Sequence, residues 1–275
     1  MSARGRVLRE RLAALATIGD DGIELATAAL VVAGLDRPQA DPQPYLGYFD
    51  DLAAELIAVG GTAPSRATAL AAVLGVSHRY RDDDRDDDEI GNTSLMWVID
   101  NRRGVAVALG IIGLAAIRRA GWPVEALSFP HRFLLRLGEP DGSRTIIDPA
   151  AGWRALGTPE LRAILKAAAG LDAELLPVHY EASGNRDILV RLQNEAKTRL
   201  LRCGAVARAV AVVEATLLFA PDQASLWREA GLMHMRLDNL AQAVAALEQF
   251  VGRTASPQAR GRTLQLLQEL RGRMH

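Results

Sequence analysis

Apolar residues recur every three or four positions through the first 78 residues of the chain, as in the set Leu8, Leu12 and Leu15. This spacing is typical of helices that bury one face against a core. Breaks rich in Asp, Gly and Pro separate the apolar sets, and such residues end helices and form turns. The pattern therefore predicts a helical N-terminal region over residues 1–78 that packs on the core, with helices near 8–18, 23–32, 45–59 and 64–74.

The middle of the chain combines helical and strand-like patterns. A long helix with few charges is predicted over residues 104–120. After Gly121-Trp122-Pro123 the apolar positions become typical of strands, and Glu139–Gly142 has the composition of a hairpin turn. The predicted strands are 124–128, 133–137 and 144–147. A helix followed by antiparallel strands gives an α+β core, which we place at residues 79–180.

Residues 185–275 are predicted to be entirely helical and contain an internal repeat. Two alanines in small-residue helical runs are 34 residues apart, and this period is that of tetratricopeptide helix pairs, which stack because neither pair can bury its faces alone. The positions that carry the pattern are Ala209, Pro221, Trp227, Gly231 and Ala243. In the first repeat Gln193 and Lys197 occupy the places of Trp227 and Gly231, so that copy is degenerate.

Composition restricts the classes of function. The chain has 275 residues, a formal charge of −1 and 5% aromatic residues, which argues against a chain built around nucleic acid. An alternative is that arginines near the two ends, at 4–11 and 253–273, bind nucleic acid. The single Cys203 and the lack of an apolar run of membrane-spanning length favour a soluble, cytoplasmic protein that binds no membrane.

An Asp-rich run over Arg79–Gly91 is a candidate calcium loop. An EF-hand loop needs glycine at its sixth position and a bidentate glutamate at its twelfth, whereas Asp87 and Thr93 stand there. A block of like charges is more typical of a solvated loop. We therefore expect no metal and no cofactor.

One arrangement in the core resembles a thiol-enzyme site. Such a site places a cysteine at a helix N-terminus, a histidine on the following strand and an aspartate on the next strand. Here Ala106 lies where the helix begins, His131 and Arg132 precede the next strand, and Asp148 ends the strand after it. The frame is present, but the residue at the nucleophile position is alanine.

The order of these motifs resembles the SirB family, whose members are transglutaminase-like proteins with C-terminal tetratricopeptide repeats. The segments that carry the resemblance are Asn92–Leu95, Leu95–Leu137, Ile146–Trp153 and Arg186–Leu201 with the repeats. The resemblance implies a transglutaminase-like, papain-like fold. It also implies that Ala106 occupies the nucleophile position and that Arg132 replaces the histidine base, because the family's Pro-Gly-His-Phe reads Pro-His-Arg-Phe here.

The residues predict a degenerate site. His131 is displaced by one position, which in a strand reverses the face of a side chain, and Asp148 is expected to cap a turn or to pair with Arg132 or Arg136. We therefore expect a non-enzymatic adaptor or regulator that binds a protein partner through its helical repeats. The alternative is a hydrolase or acyltransferase with a non-cysteine nucleophile, for which Ser94 or Ser128 with His131 and Asp148 is the candidate set.

Overall fold

The computed structural model describes residues 2–83 and 90–274. Residues 84–89, which form the middle of the Asp-rich run and of its candidate calcium loop, lie outside these residues. The described chain divides into two compact units. One contains residues 19–192 and the other contains residues 1–18 with 193–275.

The described residues form mainly helices, with short strands between some of them. The helices are α1 (Ala3–Ala14), α2 (Leu25–Asp36), α3 (Gln43–Gly60), α4 (Arg66–Leu70), α5 (Leu95–Asn101), α6 (Ala106–Arg119), α7 (Thr158–Ala169), α8 (Asn185–Arg202), α9 (Val206–Phe219), α10 (Ala224–Arg236), α11 (Leu240–Arg253) and α12 (Pro257–Arg273). The strands are β1 (Arg81–Asp82), β2 (Arg103–Gly104), β3 (Val124–Leu127), β4 (Leu134–Gly138), β5 (Arg144–Asp148), β6 (Arg154–Leu156) and β7 (Ala182–Ser183). This composition confirms the predicted α+β class with an all-helical C-terminal region.

The sheet of the 19–192 unit is antiparallel, with strand order β6-β5-β4-β3-β7. The predicted strands correspond to β3, β4 and β5, which pair as neighbours through Ala126↔Leu135 and Leu135↔Ile147. Sequence reasoning missed β6, β7 and α7. A separate parallel pair, β1 with β2, brings Arg81 beside Arg103 just before α6.

The two faces of the sheet are covered by different helices. On one face, α6 approaches closely because Gly110 and Gly113 leave room for the rings of Phe133 and Trp153. The other face forms a buried cluster with α7 through Leu134, Leu161 and Leu165 among others. Packing on both faces therefore fixes the start of β4 and the end of β5 relative to α6. The candidate site lies at these strand ends and at the start of α6.

The helix predicted over 64–74 is not regular. It is α-helical only through Leu70 and then continues as a π-helix over Ala71–Ser77. The π-helical segment ends at His78, and the chain turns so that the Tyr80 N–H donates to Leu74 O at 2.9 Å. Apolar spacing alone does not distinguish these two kinds of turn.

The second unit consists of α1 and the C-terminal helices. Helix α1 contacts α9, and its Leu12 is fully buried. The structure therefore groups residues 1–18 with 193–275, whereas the sequence pattern had placed all of 1–78 on the core. Amphipathic spacing shows that a helix has a buried face but does not identify the element that covers it.

Among the described residues, no helix has both the length and the apolar content needed to span a bilayer.

Candidate functional site

The N-terminus of α6 is held by backbone hydrogen bonds. The Val105 N–H donates to Asn92 O at 3.0 Å, and the Asp83 N–H donates to Gly104 O at 3.1 Å. A Cβ added at Gly104 would lie 2.6 Å from a methyl group of Val98, so this position suits glycine. Ala106 is the first residue of α6 and is half-buried. It places a methyl group where a catalytic residue of this layout would place its sulfur.

Arg132 and Asp148 form an ion pair at the adjoining ends of β4 and β5. The Arg132 Nε donates to Asp148 Oδ2 at 2.8 Å, with 34% of the Arg132 side chain exposed and 1% of Asp148. The second oxygen, Oδ1, accepts the N–H groups of Ala150 and Ala151 at 2.9 and 3.1 Å. Each oxygen of the buried carboxylate thus has a donor. Arg136, the other predicted partner, pairs instead with Glu125.

His131 lies apart from this ion pair. Its side chain is exposed, its backbone has φ of +59°, and in the described structure it makes no hydrogen bond or ion pair. The left-handed conformation is uncommon for a residue with a Cβ and occurs here in the turn before β4. The structure therefore brings Asp148 to Arg132 and not to His131.

Neither serine of the alternative site is hydrogen-bonded to His131. Ser128 Oγ lies 3.0 Å from Ser183 Oγ on β7, at the exposed edge of the sheet. Ser94 precedes α5, and its Oγ is buried without a hydrogen-bond partner in the described structure. A serine nucleophile needs a base within hydrogen-bond reach, and the described residues around these two hydroxyls supply none.

The arrangement has little capacity for proton transfer. A methyl group cannot attack a carbonyl carbon, and a guanidinium has donors but no acceptor. Among the described residues, no group of three or more His, Cys, Asp or Glu side chains is placed to hold a metal ion. What the geometry does provide is a fixed connection between the start of β4 and the end of β5.

Sequence reasoning missed a polar cluster that lies before α6. Arg102, in the left-handed conformation at the end of α5, donates to the hydroxyls of Tyr48 and Tyr80. The Tyr48 hydroxyl is also 2.9 Å from His78 Nδ1, and His78 Nε2 is 2.8 Å from a Glu55 oxygen. Its members come from three separate segments, α3, residues 78–80 and the end of α5, so no spacing in the sequence could have revealed it.

Burial perturbs the tyrosines of this cluster. Desolvation raises the pKa of Tyr80 above its ordinary value, and the neighbouring Tyr48 raises it further, while Arg102 opposes both effects. Burial likewise raises the pKa of Tyr48. Both hydroxyls therefore remain protonated at neutral pH and serve as hydrogen-bonding groups.

A pocket of about 600 Å³ opens at the other end of α6. Its lining includes Glu24, Arg118, Arg119 and Asn185. Arg118 donates to Asn185 Oδ1 at 2.9 Å, and burial lowers the pKa of Arg118. Arg119 pairs with Glu24 at 3.6 Å. At about 1.5 Å of rise per residue, Arg118 is roughly 18 Å along the helix from Ala106, so this pocket is distinct from the candidate site at the start of α6.

The repeat positions are packed in the second unit. Ala209 and Ala243 are fully buried. A Cβ added at Gly231 would lie 2.6 Å from Leu247 Cγ and 3.4 Å from Ala243 O, which shows how closely α10 approaches α11. Small residues at these places are therefore required by the helix spacing.

Trp227 and Pro221 are joined by a hydrogen bond. The Trp227 Nε1–H donates to Pro221 O at 2.7 Å, and Arg253 Nε donates to the same oxygen at 2.9 Å while its guanidinium stacks over the indole. In the degenerate first repeat, Lys197 Nζ donates to Glu229 and Asn194 instead. The polar residue at the glycine position thus makes a direct connection between α8 and α10.

Two parts of this chain match models of known protein families. Residues 43–194 match the family model described as transglutaminase-like superfamily, and residues 196–268 match a tetratricopeptide repeat model. A UPF0162 protein of Xylella fastidiosa is 27% identical over 244 residues, which are 86% of each chain. A solved structure of menin aligns with a TM-score of 0.38 and 10% identity, over 94% of this chain and 72% of menin.

Two further relatives have individual names. The UPF0162 protein YchA of Escherichia coli K12 is 30% identical over 58% of this chain and 60% of its own. Protein SirB1 of Salmonella typhimurium is 29% identical over the same shares. Because the first family model matches more than half of the residues, this chain belongs to the transglutaminase-like superfamily, in the SirB group that carries C-terminal tetratricopeptide repeats.

Proposed function

We propose that this chain is a non-catalytic, cytoplasmic member of its superfamily that acts as an adaptor or regulator by binding a protein partner through its helical repeats. The transglutaminase-like unit serves as a scaffold in this proposal. The binding surface belongs to α8–α12.

The ion pair between Arg132 and Asp148 is the observation that supports the proposal most. In a thiol site the aspartate orients a histidine, and the histidine removes a proton from the nucleophile. Here the aspartate pairs with the guanidinium of Arg132 at 2.8 Å, a group that offers only hydrogen-bond donors. Ala106 stands at the helix N-terminus. In this proposal the nucleophile is replaced by a methyl group, which cannot attack a carbonyl carbon, and the base by a guanidinium, which cannot accept a proton.

The helical repeats support the interaction role. Tetratricopeptide units contact mainly their neighbours and stack into extended surfaces on which peptides or helices bind. The match over residues 196–268 covers most of α8–α12. A repeat region of this kind is usually concerned with protein–protein interaction.

Activity is tested with the full chain carrying Cys203→Ser, which removes its only thiol. We expect no amine incorporation into a glutamine substrate and no labelling by a serine-directed fluorophosphonate. The variant with Ala106→Cys and Arg132→His in the same background is the matched control, since it restores a thiol and an imidazole at the two positions. Labelling of the Cys203→Ser chain that disappears with His131→Ala would contradict the proposal.

Partner binding is tested by crosslinking the full chain in a bacterial lysate and mapping the crosslinked residues by mass spectrometry. We expect a reproducible protein partner whose crosslinks fall within residues 185–275. A set of crosslinks confined to residues 43–184 would move the binding role to the transglutaminase-like unit and would count against the repeats.

A further inference from the structure

The two compact units carry opposite net charge. Residues 1–18 and 193–275 contain 15 Lys and Arg against 8 Asp and Glu, whereas residues 19–192 contain 17 against 25. The repeat unit is therefore basic although the whole chain is nearly neutral. A surplus of this size on one small unit creates a potential that attracts acidic groups.

Some of this positive charge recurs with the repeat period. Arg228 and Arg262 are 34 residues apart, and so are Arg202 and Arg236. In stacked helical repeats, equivalent positions on successive helices lie in a row. Because Arg228 and Arg236 are eight residues apart on α10, they also project from the same side of that helix.

The arginines of the repeat unit fall into two groups. Arg253, Arg271 and Arg273 are hydrogen-bonded to oxygens of their own unit. By contrast Arg228, Arg236 and Arg262 are exposed, and the described structure shows no hydrogen bond or ion pair from their guanidinium groups. The acidic residue next to Arg228, Glu229, is already paired with Lys197.

Half-buried apolar residues lie between these arginines. Leu232 and Met235 are one and two turns from Arg228 on α10, and Leu266 is one turn from Arg262 on α12. Met235 and Leu266 pack against the same buried cluster, formed by Ala243, Leu247, Leu267 and Leu270. We call the surface made by Arg228, Leu232, Met235, Arg236, Arg262 and Leu266 the arginine face.

We infer that the arginine face binds an acidic, amphipathic peptide segment of a partner protein. The carboxylates of the segment pair with Arg228, Arg236 and Arg262, and its apolar side chains cover Leu232, Met235 and Leu266. This inference rests on the proposed adaptor function and specifies the chemistry of its partner.

The surface suits a peptide better than a nucleic acid. Proteins that bind single strands combine basic grooves with exposed aromatic rings on which bases stack. The aromatic side chains of α9–α11 are instead packed, since Phe219 and Phe250 are buried and Trp227 is bonded to Pro221. The apolar side chains between the arginines are aliphatic, which fits the Leu or Ile positions of an amphipathic segment.

Binding is tested on the full chain with a fluorescein-labelled peptide in which Leu recurs every three or four residues, as on one face of a helix, and Glu occupies positions between. A peptide with Lys in place of Glu and a single-stranded oligonucleotide are the comparison probes. The test variant is Arg228→Glu with Arg262→Glu. Its control, Arg6→Glu with Arg208→Glu, changes the net charge equally at two exposed arginines on α1 and α9.

We expect the Glu peptide to bind, the Lys peptide not to bind, and the test variant to weaken binding by about tenfold with the control changed less than about twofold. Equal weakening by both variants would show that only bulk charge matters and would overturn the inference. Tighter oligonucleotide binding that depends on Arg228 and Arg262 would overturn it in favour of nucleic acid.

The adaptor proposal can fail independently. If the Glu peptide does not bind while crosslinks to a partner still fall within residues 185–275 of the test variant, the arginine face is wrong and the adaptor role stands. The variant Arg228→Gln with Arg262→Gln is expected to show the same loss without introducing charge repulsion. Circular dichroism of each variant checks that the helices are retained.

Discussion

A single carboxylate, that of Asp148, connects three parts of the candidate site. It is 1% exposed and accepts one hydrogen bond from Arg132 and two from the turn that follows β5. A buried charge is tolerated when donors surround it, and it becomes costly when one partner is removed. The described contacts of Asp148 are with Arg132 and this turn, and not with a histidine.

Replacement of Asp148 by alanine is therefore expected to destabilise the protein. The change leaves Arg132 and the N–H groups of Ala150 and Ala151 without their acceptor, which costs about 3 kcal/mol of unfolding free energy in urea titrations. Asp141→Ala is the control, because Asp141 also accepts a turn N–H, from Ser143 at 2.9 Å, but is exposed. An equal effect of the two changes would contradict the role assigned to the buried ion pair.

Tyr80 gives a prediction about alkaline pH. Its pKa is raised in the folded state, first by burial, whereas in the unfolded chain a tyrosine ionises near pH 10. The stability that depends on protonated Tyr80 is thus fully present below about pH 10 and is lost as the pH rises further. Above pH 10 the unfolding free energy of the unchanged protein is expected to fall with pH more steeply than that of Tyr80→Phe, by about 1.4 kcal/mol per pH unit.

The comparison is made by urea unfolding at several values between about pH 8 and pH 11.5, on either side of the ordinary tyrosine pKa. Below about pH 9 the two proteins should show parallel curves, since Tyr80 is protonated in both states there. Parallel curves above pH 10 as well would mean that Tyr80 ionises in the folded protein as it does in the unfolded chain.

Individual residues differ in how far the sequence reveals them. The position of Ala106 at a helix start, and a carboxylate at 148 before a proline, follow from local patterns. The cluster of Tyr48, His78, Tyr80 and Arg102 does not, because its members approach one another only after the π-helix and the end of α5 have directed the chain. Tertiary contacts of this kind leave no periodic signal.

At the scale of elements, the close approach of α6 to the sheet depends on two glycines. A Cβ at Gly110 would lie 2.0 and 2.4 Å from carbons of the Phe133 ring, and one at Gly113 would lie 2.5 Å from the Trp153 ring. These separations are far below the contact distance of two carbon atoms, about 3.5 Å. The glycines therefore set the distance between α6 and β4.

Gly110→Ala is expected to cost about 2–3 kcal/mol of unfolding free energy, because the helix or the strand must shift to admit the methyl group. The control is Gly47→Ala in α3, where nothing lies within 4 Å of the added Cβ and the better helix propensity of alanine adds about 1 kcal/mol. Combining Gly110→Ala with Phe133→Leu should recover part of the loss. Similar stability of the two alanine variants would refute the steric explanation.

Strong periodic signals identified most elements. The helices from α8 to α12 and the strands β3, β4 and β5 followed from apolar spacing and from the turn at Glu139–Gly142. The strands β6 and β7 have three and two residues, too few for an alternation to be visible. The short pair β1 and β2 is defined by backbone pairing between distant segments, which no local pattern predicts.

At the scale of the whole molecule, each compact unit has its own buried core. The repeat unit includes a segment from the opposite end of the chain, since α1 contacts α9. The family model for the repeats begins at residue 196 and thus does not include α1. We therefore expect α1 to contribute to the stability of the repeat unit, although the other helices of that unit lie nearly 200 residues further along the chain.

Leu12→Ala tests this contribution directly. Leu12 is fully buried, and its truncation leaves a cavity that costs about 2–4 kcal/mol. We expect hydrogen exchange measured by mass spectrometry to increase in α1 and in α9, Val206–Phe219, while β4 and β5 keep their protection, because local stability follows the unit in which the contact is made. Val7→Ala on the same helix is the control, since 52% of Val7 is exposed. Faster exchange in β4 and β5 with α9 unchanged would assign α1 to the transglutaminase-like unit, as the sequence pattern alone had predicted.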